Sequence, residues 1–205
     1  MGEIKKVLDP GSIAFIGADD EEGSAGRTIL ENLLKSRGRK IFPVNPAKEN
    51  LLGLECFPGI AGIGRHIDLA IIASPSEKSL DCVKDCAENG VDGAIVMSSG
   101  PRMTAGEAQV FEKQIREIRN ATGFRVIGPD STGLIMPNAG LNISAIRVDP
   151  APGGTALIAH GGTIESAMLY WGLDNQIGFS MFASLGAMTD IDLSDLIDYL
   201  EEDYF

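Results

Sequence analysis

The stretch Ser12–Arg27, SIAFIGADDEEGSAGR, decides the fold. It opens with the short apolar run SIAFIG, which is typical of a strand buried on both faces of a parallel sheet. The run leads into the glycine-bearing loop GADDEEGSAGR (17–27), and a helical pattern begins near Ala25. A strand, a glycine loop and a helix N-terminus together predict an anion site, because free backbone N–H groups and the positive end of the helix dipole converge there.

Four more short apolar runs come before residue 129, and they predict four further strands: KIFPV (40–44), DLAIIAS (68–74), DGAIVMS (92–98) and FRVIG (124–128). Helical patterns lie between several of them, with apolar positions at Ile29, Leu30, Leu33 and Leu34, at Leu80, Val83 and Ala87, and at Phe111, Ile115 and Ile118. Strands that alternate with helices predict an α/β fold with a Rossmann-like, doubly wound parallel sheet over residues 1–128.

The pattern changes beyond Pro129. Many turn-forming residues up to Gly154 predict a long connection with one short helix. A second α/β unit follows, with strands predicted at TALIAH (155–160) and near 178–183 and a helix after each. Two strands are fewer than an independent domain normally has, so we expect residues 129–205 to leave a sheet edge that self-association or a partner covers.

Composition excludes several classes of protein. The net charge of -12 repels nucleic acid and anionic membrane surfaces, and no concentrated basic patch offsets it. No run approaches about 20 apolar residues, and the N-terminus lacks the apolar core of a signal peptide, so we expect a cytoplasmic protein. The 3 cysteines are an odd number and argue against a disulfide framework. Cys82 and Cys86 lie one helical turn apart, which indicates core packing rather than a metal site.

The glycine loop is identified by its place after the first strand, since the spacing of Gly17, Gly23 and Gly26 is not that of the dinucleotide fingerprint. Ser24 would supply a hydroxyl and Arg27 a positive charge. The acidic run 19–22 would disfavour an anion unless its side chains point outward. A glycine turn that merely closes the strand-to-helix connection is the alternative interpretation.

The residues after the second strand bear on the choice of nucleotide. An NAD site usually places an acidic side chain there, to accept hydrogen bonds from the ribose. Here Asn45 and Lys48 stand in that region, and they favour a ribose that carries a phosphate, as in NADP or in the 3′-phospho-ADP half of coenzyme A. The third and fourth strands end in serine- and glycine-rich segments without a general base, which indicates either a binding rim or helix caps. The rim residues are Ser74, Pro75, Ser98 and Ser99.

Taken in order, several segments resemble the CoA-binding domain of the NDP-forming acyl-CoA synthetases, the family of ADP-forming acetyl-CoA synthetase and of the α subunit of succinyl-CoA synthetase. The segments are IAFIGADDEEGSAGR, KIFPVNPAKENLLGLECFPGI, DLAIIASPS, GVDGAIVMSSG, VIGPDSTGLIMP and GFSMFASLGAMTDIDLSDLIDYLEED. The resemblance implies a Rossmann-like CoA-binding domain at 1–128. It also implies a partial flavodoxin-like domain at 129–205.

The resemblance also implies the ligand contacts. Coenzyme A would be the cofactor, and Lys48 would lie near the phosphate or ribose of its nucleotide. The CoA phosphates would be contacted by Gly17, Gly23, Ser24, Ala25, Gly26 and Arg27, and the channel would be lined by Ser74, Pro75, Ser98 and Ser99.

The chain departs from the family pattern where phosphate chemistry is concerned. The family's phosphorylated histidine and its ATP-grasp domain have no counterpart in these residues, and neither His66 nor His160 matches the phosphohistidine. The family holds phosphate between two helix N-termini, where this chain has Asp130 and the segment 159–162. An ionised Asp130 would repel phosphate, so phosphate handling is expected to be impaired while CoA binding is not.

Three functions are consistent with these residues. The first is the CoA-binding portion of an ADP-forming acyl-CoA synthetase, an acid–thiol ligase that works with an ATP-grasp subunit or as a homo-oligomer. The second is a non-catalytic regulatory module that responds to coenzyme A or acyl-CoA. The third is an NADP-dependent oxidoreductase, which no Tyr-x-x-x-Lys pair supports.

Overall fold

The strand β1 (Ser12–Ile16) lies inside a five-stranded parallel sheet. The computed structural model of the chain describes residues 2–97 and 103–204. The other strands up to residue 127 are β2 (Lys40–Val44), β3 (Asn50–Leu51), β4 (Leu54–Glu55), β5 (Leu69–Ile72), β6 (Gly93–Val96) and β7 (Arg125–Ile127). The parallel sheet has the order β2-β1-β5-β6-β7, which confirms the predicted Rossmann-like α/β fold, while β3 and β4 form a separate antiparallel hairpin.

Helices cover both faces of this sheet. They are α1 (Gly2–Leu8), α2 (Ala25–Lys35), α3 (Ser76–Glu88) and α4 (Ala105–Thr122). The apolar stripe of α2, with Ile29 and Leu33, is buried against the face that carries Ile13 and Phe15 of β1. Buried residues of α3 and α4 pack on the opposite face. Because both faces are covered, the strands are apolar at consecutive positions rather than alternately.

Helix α1 was not predicted from the sequence. Its residues Ile4, Val7 and Leu8 are buried in the same cluster as β1, so the helix closes one side of the core. Two helical turns between polar residues give too short a periodic signal to detect. The segment 57–66 contains a short 3-10 helix at Ile60–Ile63.

The prediction of a long connection beyond Pro129 is wrong in part. The chain instead folds back as an antiparallel hairpin of β8 (Gly133–Met136) and β9 (Leu141–Ser144), with a 3-10 turn at Pro137–Ala139. The predicted strands and helices follow as β10 (Pro152–Ala159), α5 (Gly162–Asp174), β11 (Phe179–Ser184) and α6 (Leu193–Tyr204). The second sheet has four strands in the order β10-β11-β8-β9 rather than two. The hairpin escapes notice because four-residue apolar runs also occur in buried loops.

The two sheets share one hydrophobic cluster. It contains Ile13 and Phe15 of β1 together with Leu134 of β8, Ile143 of β9 and Leu196 of α6. The predicted boundary at residue 128 therefore crosses a continuous core, and the division into two domains stays a prediction.

Buried polar contacts also join the elements of the two sheets. Asn32 of α2 is 2% exposed and donates from Nδ2 to the carbonyls of Ser144 and Ile146, at 3.0 and 2.9 Å. Arg125 at the start of β7 donates from Nε to the carboxylate of Asp190 at 2.9 Å. Satisfied buried polar groups of this kind fix the relative position of the elements they join.

The outer edge of the second sheet is exposed. Strand β10 pairs in parallel with β11 on one side, and all 8 of its residues are exposed or half-buried. The outward surface of α5 carries Met168, Tyr170 and Trp171, each between 42% and 52% exposed. Across residues 2–97 and 103–204, none of the helices combines the length and the apolar character needed to span a bilayer.

Candidate functional site

The order of the strands places a crevice between β1 and β5. From β1 the chain moves to β2 on one side, and from β5 it moves through β6 to β7 on the other. Open parallel sheets bind ligands at such a reversal, beyond the carboxyl ends of the strands. Gly17 follows β1 here with φ of +88°, and a Cβ on it would lie 2.6 Å from the carbonyl oxygen of Ala73, which follows β5. The two connections therefore meet without room for a side chain.

The N-terminus of α2 opens onto this crevice. The helix begins at Ala25, as predicted, and Ser24 is its N-cap, whose Oγ accepts from the backbone N–H of Arg27 at 3.0 Å. A Cβ on Gly26 would lie 2.9 Å from both the Gly17 carbonyl oxygen and the Asp19 Cβ. Gly26 thus lets the loop after β1 pack directly on the first turn of α2, where backbone N–H groups favour an anion.

Arg27 is anchored on the side of the loop. Its Nε donates to Glu31 Oε1 at 2.7 Å, and its Nη1 donates to the carbonyl of Asp20 at 3.2 Å. The hydrogen bond to Glu31 raises the pKa of Arg27 and lowers that of Glu31. Arg27 therefore contributes positive charge near the first turn of α2, although its Nε and Nη1 are already engaged by the protein.

Asn45 and Lys48 connect the loop after β2 to the loop after β1. The amide of Asn45 donates to the carbonyl of Ala18 at 2.9 Å and its Oδ1 accepts from the N–H of Ala47. Lys48 Nζ lies 2.9 Å from Asp20 Oδ1. The structure thus brings both predicted residues beside the glycine loop, although they are far away in sequence.

The acidic run 19–22 is largely neutralised or directed outward. The hydrogen bond to Lys48 lowers the pKa of Asp20 and raises that of the lysine. Asp19 Oδ1 accepts from the backbone N–H of Glu21 at 2.8 Å, while the side chains of Glu21 and Glu22 are exposed. Exposure of the two glutamates and the pairing of Asp20 with Lys48 therefore weaken the repulsion of an anion, whereas Asp19 is half-buried beside Gly26.

The rim predicted beyond β5 and β6 is described in part. Ser74 is buried and accepts a hydrogen bond from Cys82 Sγ at 3.7 Å, and Pro75 is exposed at the start of α3. Ser98 and Ser99 lie outside the described residues. A cavity of about 560 Å³ lies between the first turns of α3 and α4, lined by Leu80, Met103, Val110 and Phe111 among others. It is large enough for part of a cofactor and mostly apolar.

One neighbour of the glycine loop could not be predicted from the sequence. Arg147, in the segment after β9, borders a smaller cavity of about 210 Å³ together with Gly23 and Arg27. Its charge also lowers the pKa of Glu31. Arg147 lies more than a hundred residues from the loop in an irregular segment, so no periodicity or spacing could indicate it.

The histidines lie away from this crevice, Cys56 and Cys86 are buried, and Cys82 is half-buried beside Ser74. His66 Nε2 is 2.8 Å from Asp92 Oδ2, before β6 and thus at the opposite edge of the sheet. His160 is exposed after β10. Cys86 is fully buried, and burial raises the pKa of its thiol strongly. The described part of the crevice offers hydrogen-bond donors and positive charge, and its geometry is suited to binding rather than to nucleophilic chemistry.

A doubly wound sheet with a glycine loop, a helix N-terminus and paired cationic side chains at its switch point defines a nucleotide-cofactor-binding α/β protein. The family model "CoA binding domain" matches residues 11–137, and the model "Succinyl-CoA ligase like flavodoxin domain" matches residues 152–204. The chain therefore belongs to the family of CoA-binding domains.

Curated relatives agree with this assignment. The chain is 33% identical to Acetate–CoA ligase [ADP-forming] I of Archaeoglobus fulgidus over 98% of its own length and 29% of that protein. It is 34% identical to Acetate–CoA ligase [ADP-forming] II subunit alpha of Pyrococcus furiosus, over 95% of its length and 42% of the subunit. The chain thus spans less than half of the length of these curated relatives.

A solved structure has the same architecture. The dinucleotide-forming acetyl-coenzyme A synthetase 1 of Ca. Korarchaeum cryptofilum, determined in complex with phosphate and ADP, superposes with a TM-score of 0.90 at 31% identity. The match covers 100% of this chain and 44% of the synthetase. The fold described above is therefore that of the corresponding part of such an enzyme.

Proposed function

We propose that this chain holds coenzyme A for an ADP-forming acyl-CoA synthetase. The N-terminus of α2 would bind the diphosphate through backbone N–H groups of Gly23, Ala25 and Gly26, since those of Ser24 and Arg27 already donate to Glu21 and to Ser24 Oγ. The Ser24 hydroxyl and the Arg27 charge would add to this site, and Gly17 would allow the cofactor to approach the end of β1. Lys48 would face the phosphorylated ribose, with Asn45 fixing the loop that carries it. Ser74, Pro75, Ser98 and Ser99 would line the path of the pantetheine arm.

One observation supports this proposal more than any other. Lys48 and Asn45 reach the loop after β1 from the loop after β2, and they contact Asp20 and Ala18 there. A cation at the end of the second strand suits a ribose that carries a phosphate, whereas an acidic residue at that place suits NAD. Coenzyme A and NADP both have such a ribose, and the family assignment favours coenzyme A.

The remaining chemistry would come from elsewhere. We infer that acyl-phosphate formation requires a phosphohistidine-bearing segment and an ATP-grasp subunit, and that the exposed edge at β10 is covered in the working assembly. One relative is itself a subunit alpha, which supports a division of the reaction between chains. We expect the assembly to work in the cytoplasm on short acyl groups.

Calorimetric titration tests the cofactor assignment. Coenzyme A should bind the wild type more tightly than NADP does, and Lys48→Ala should weaken coenzyme A several-fold, because it removes a cation and leaves Asp20 unpaired. Lys6→Ala is the matched control, since Lys6 Nζ forms a similar ion pair with Asp92 at 3.0 Å at the other edge of the sheet. Equal losses in the two variants, or tighter binding of NADP, would contradict the proposal.

A non-catalytic module that responds to coenzyme A is the second candidate. The observation in its favour is the second unit, where Asp130 has φ of +61° and Gly161 caps α5 without a side-chain hydrogen bond. Addition of an ATP-grasp subunit from a relative, with ATP, coenzyme A and acetate, separates the two. Release of ADP supports the synthetase, and its absence with intact coenzyme A binding supports the module.

A further inference from the structure

Three side chains that can bind a metal ion lie together at the amino-terminal edge of the first sheet, away from the proposed CoA site. His66 Nε2 lies 2.8 Å from Asp92 Oδ2 and 3.6 Å from Asp68 Oδ1. The ligand atoms of the three side chains all lie within 4.8 Å of one another. Among residues 2–97 and 103–204, no other three histidine, cysteine or carboxylate side chains come together in this way.

The pairing of β5 with β6 explains why these side chains meet. The two strands are parallel and paired from their first residues, so Asp68 and Asp92 precede them at equivalent positions. The N–H of Asp92 donates to the carbonyl of Ile67 at 3.2 Å, which holds the two approaches to the strands together. His66 precedes Asp68 by two residues, the spacing that places side chains on one side of an extended chain.

One of the carboxylates is held in place by the chain before β1. Asp68 Oδ2 accepts from the backbone N–H groups of Gly11 and Ser12, at 2.9 and 2.8 Å, and from the Ser12 hydroxyl at 2.9 Å. The other oxygen, Oδ1, is the one that lies 3.6 Å from His66 Nε2. A ligand that is already oriented loses little freedom when a metal ion binds.

The distances and the donor atoms suit a transition metal. Zinc binds imidazole nitrogen and carboxylate oxygen at about 2.0–2.2 Å, so its ligand atoms lie about 3.4 Å apart in a tetrahedron and about 3.0 Å apart in an octahedron. The two separations from His66 Nε2, 2.8 and 3.6 Å, lie close to these values. An imidazole favours zinc or nickel, whereas magnesium and calcium prefer sites made of oxygen alone.

A lysine competes for one of the ligands. Lys6 Nζ lies 3.0 Å from Asp92 Oδ2, the oxygen that also contacts His66. The lysine side chain is 53% exposed, and ion pairs with an exposed partner contribute only about 0–1 kcal/mol. A divalent ion that bonds directly to the carboxylate can therefore displace the ammonium group at little cost.

We propose that His66, Asp68 and Asp92 bind a divalent transition-metal ion such as zinc, with water completing its coordination. The ion joins the connection before β5 to the start of β6 and stabilises the first sheet at the edge opposite the CoA crevice. The inference is independent of coenzyme A binding at α2.

Calorimetric titration of the metal-free protein with zinc alone tests this inference. His66→Gln should bind zinc at least about tenfold more weakly than the wild type, a difference of about 1.4 kcal/mol. Lys6→Ala should bind it more tightly, because the competing ammonium group is gone. His160→Gln is the matched control, since His160 is also exposed but lies after β10 in the second unit. Zinc bound by the cysteines is common to all variants.

Thermal unfolding gives a second measurement. Zinc should raise the Tm of the wild type and of His160→Gln more than that of His66→Gln, because a ligand that binds only the folded state stabilises it. Magnesium should not reproduce the difference. Circular dichroism establishes that each variant is folded, and Asp92→Asn serves if His66→Gln is not.

The outcome separates this site from the CoA site, because coenzyme A affinity should stay unchanged in His66→Gln. Equal zinc affinity in the wild type and His66→Gln would overturn the inference. Equal losses in the two histidine variants would do the same, since the binding would then not be specific to this edge of the sheet.

Discussion

Replacing Gly26 by alanine tests whether the first turn of α2 holds the cofactor. A Cβ at this position would lie 2.9 Å from the Gly17 carbonyl oxygen and 2.9 Å from the Asp19 Cβ, so the loop after β1 or the helix must move. Overpacking of this kind costs about 1–3 kcal/mol. The higher helix propensity of alanine returns up to about 1 kcal/mol.

Gly106→Ala provides the matched control. Gly106 is the second residue of α4, as Gly26 is of α2, and a Cβ on it would meet nothing within 4 Å. The control should therefore be stabilised by up to about 1 kcal/mol, since only the propensity term remains. The difference in unfolding free energy between the two variants then isolates the steric cost of about 1–3 kcal/mol.

The effect on binding follows from the same contact. The atoms that must move belong to the loop and helix turn that we propose for the CoA diphosphate, so Gly26→Ala should lose at least about tenfold in coenzyme A affinity, or about 1.4 kcal/mol. Urea unfolding and calorimetric titration measure the two quantities. Wild-type affinity in Gly26→Ala would refute the assignment of the diphosphate to this helix.

Further predictions concern the junction, the buried acid and the thiols. Asp190→Ala leaves the buried Arg125 with Asp195 as its remaining partner and the Val126 N–H without its acceptor. It should lower the urea unfolding free energy by up to about 3–5 kcal/mol, and a loss below about 1 kcal/mol, typical of exposed pairs, would contradict this. Asn32→Ala should cost about 1–3 kcal/mol by the same assay, because two buried carbonyls lose their donor. Burial raises the pKa of Glu165 above its ordinary 4.5, so the folded state binds the proton more tightly than the unfolded state. The free energy of unfolding should therefore fall as pH rises from 4.5 through the raised pKa. Urea unfolding across this pH range should show no such fall for Glu165→Gln. Cys86 should react with a thiol reagent only on unfolding, and rapid labelling of the native Cys86 would show that the thiol is accessible.

The sequence was sufficient for the first sheet because burial on both faces leaves a strong local signal. Strands β1 and β2 have the predicted bounds apart from one residue, and α2 begins at Ala25 as predicted. The start of α2 could be predicted because Ser24 is a favourable N-cap residue and the glycines around it favour a loop before the helix.

The second unit was harder to predict because its elements depend on distant partners. Each strand of the hairpin β8–β9 has only four residues, and it is stabilised by packing under α2 and beside β11. Helix α1 is similar, since its three apolar residues are buried only when the folded sheet packs against them. Short elements of this kind follow from tertiary contacts that no local pattern contains.

The candidate site likewise combines features that local sequence predicts with features that depend on tertiary contacts. Glycine positions and the N-terminus of α2 were indicated by local geometry, whereas the Lys48–Asp20 pair and the approach of Arg147 arise only when separate loops meet. Glu165 was not singled out either, because an acidic residue in the first turn of a helix is ordinary. Its burial, which makes it unusual, is a property of the folded chain.

The continuous core beneath both sheets has a consequence for how this protein comes apart. Residues of β8, β9 and α6 complete the apolar layer against which β1 packs, so a fragment that ended near Pro129 would leave that layer bare to water. The whole chain should then unfold in a single cooperative transition on heating or in denaturant, and limited proteolysis should yield no stable fragment of the first sheet.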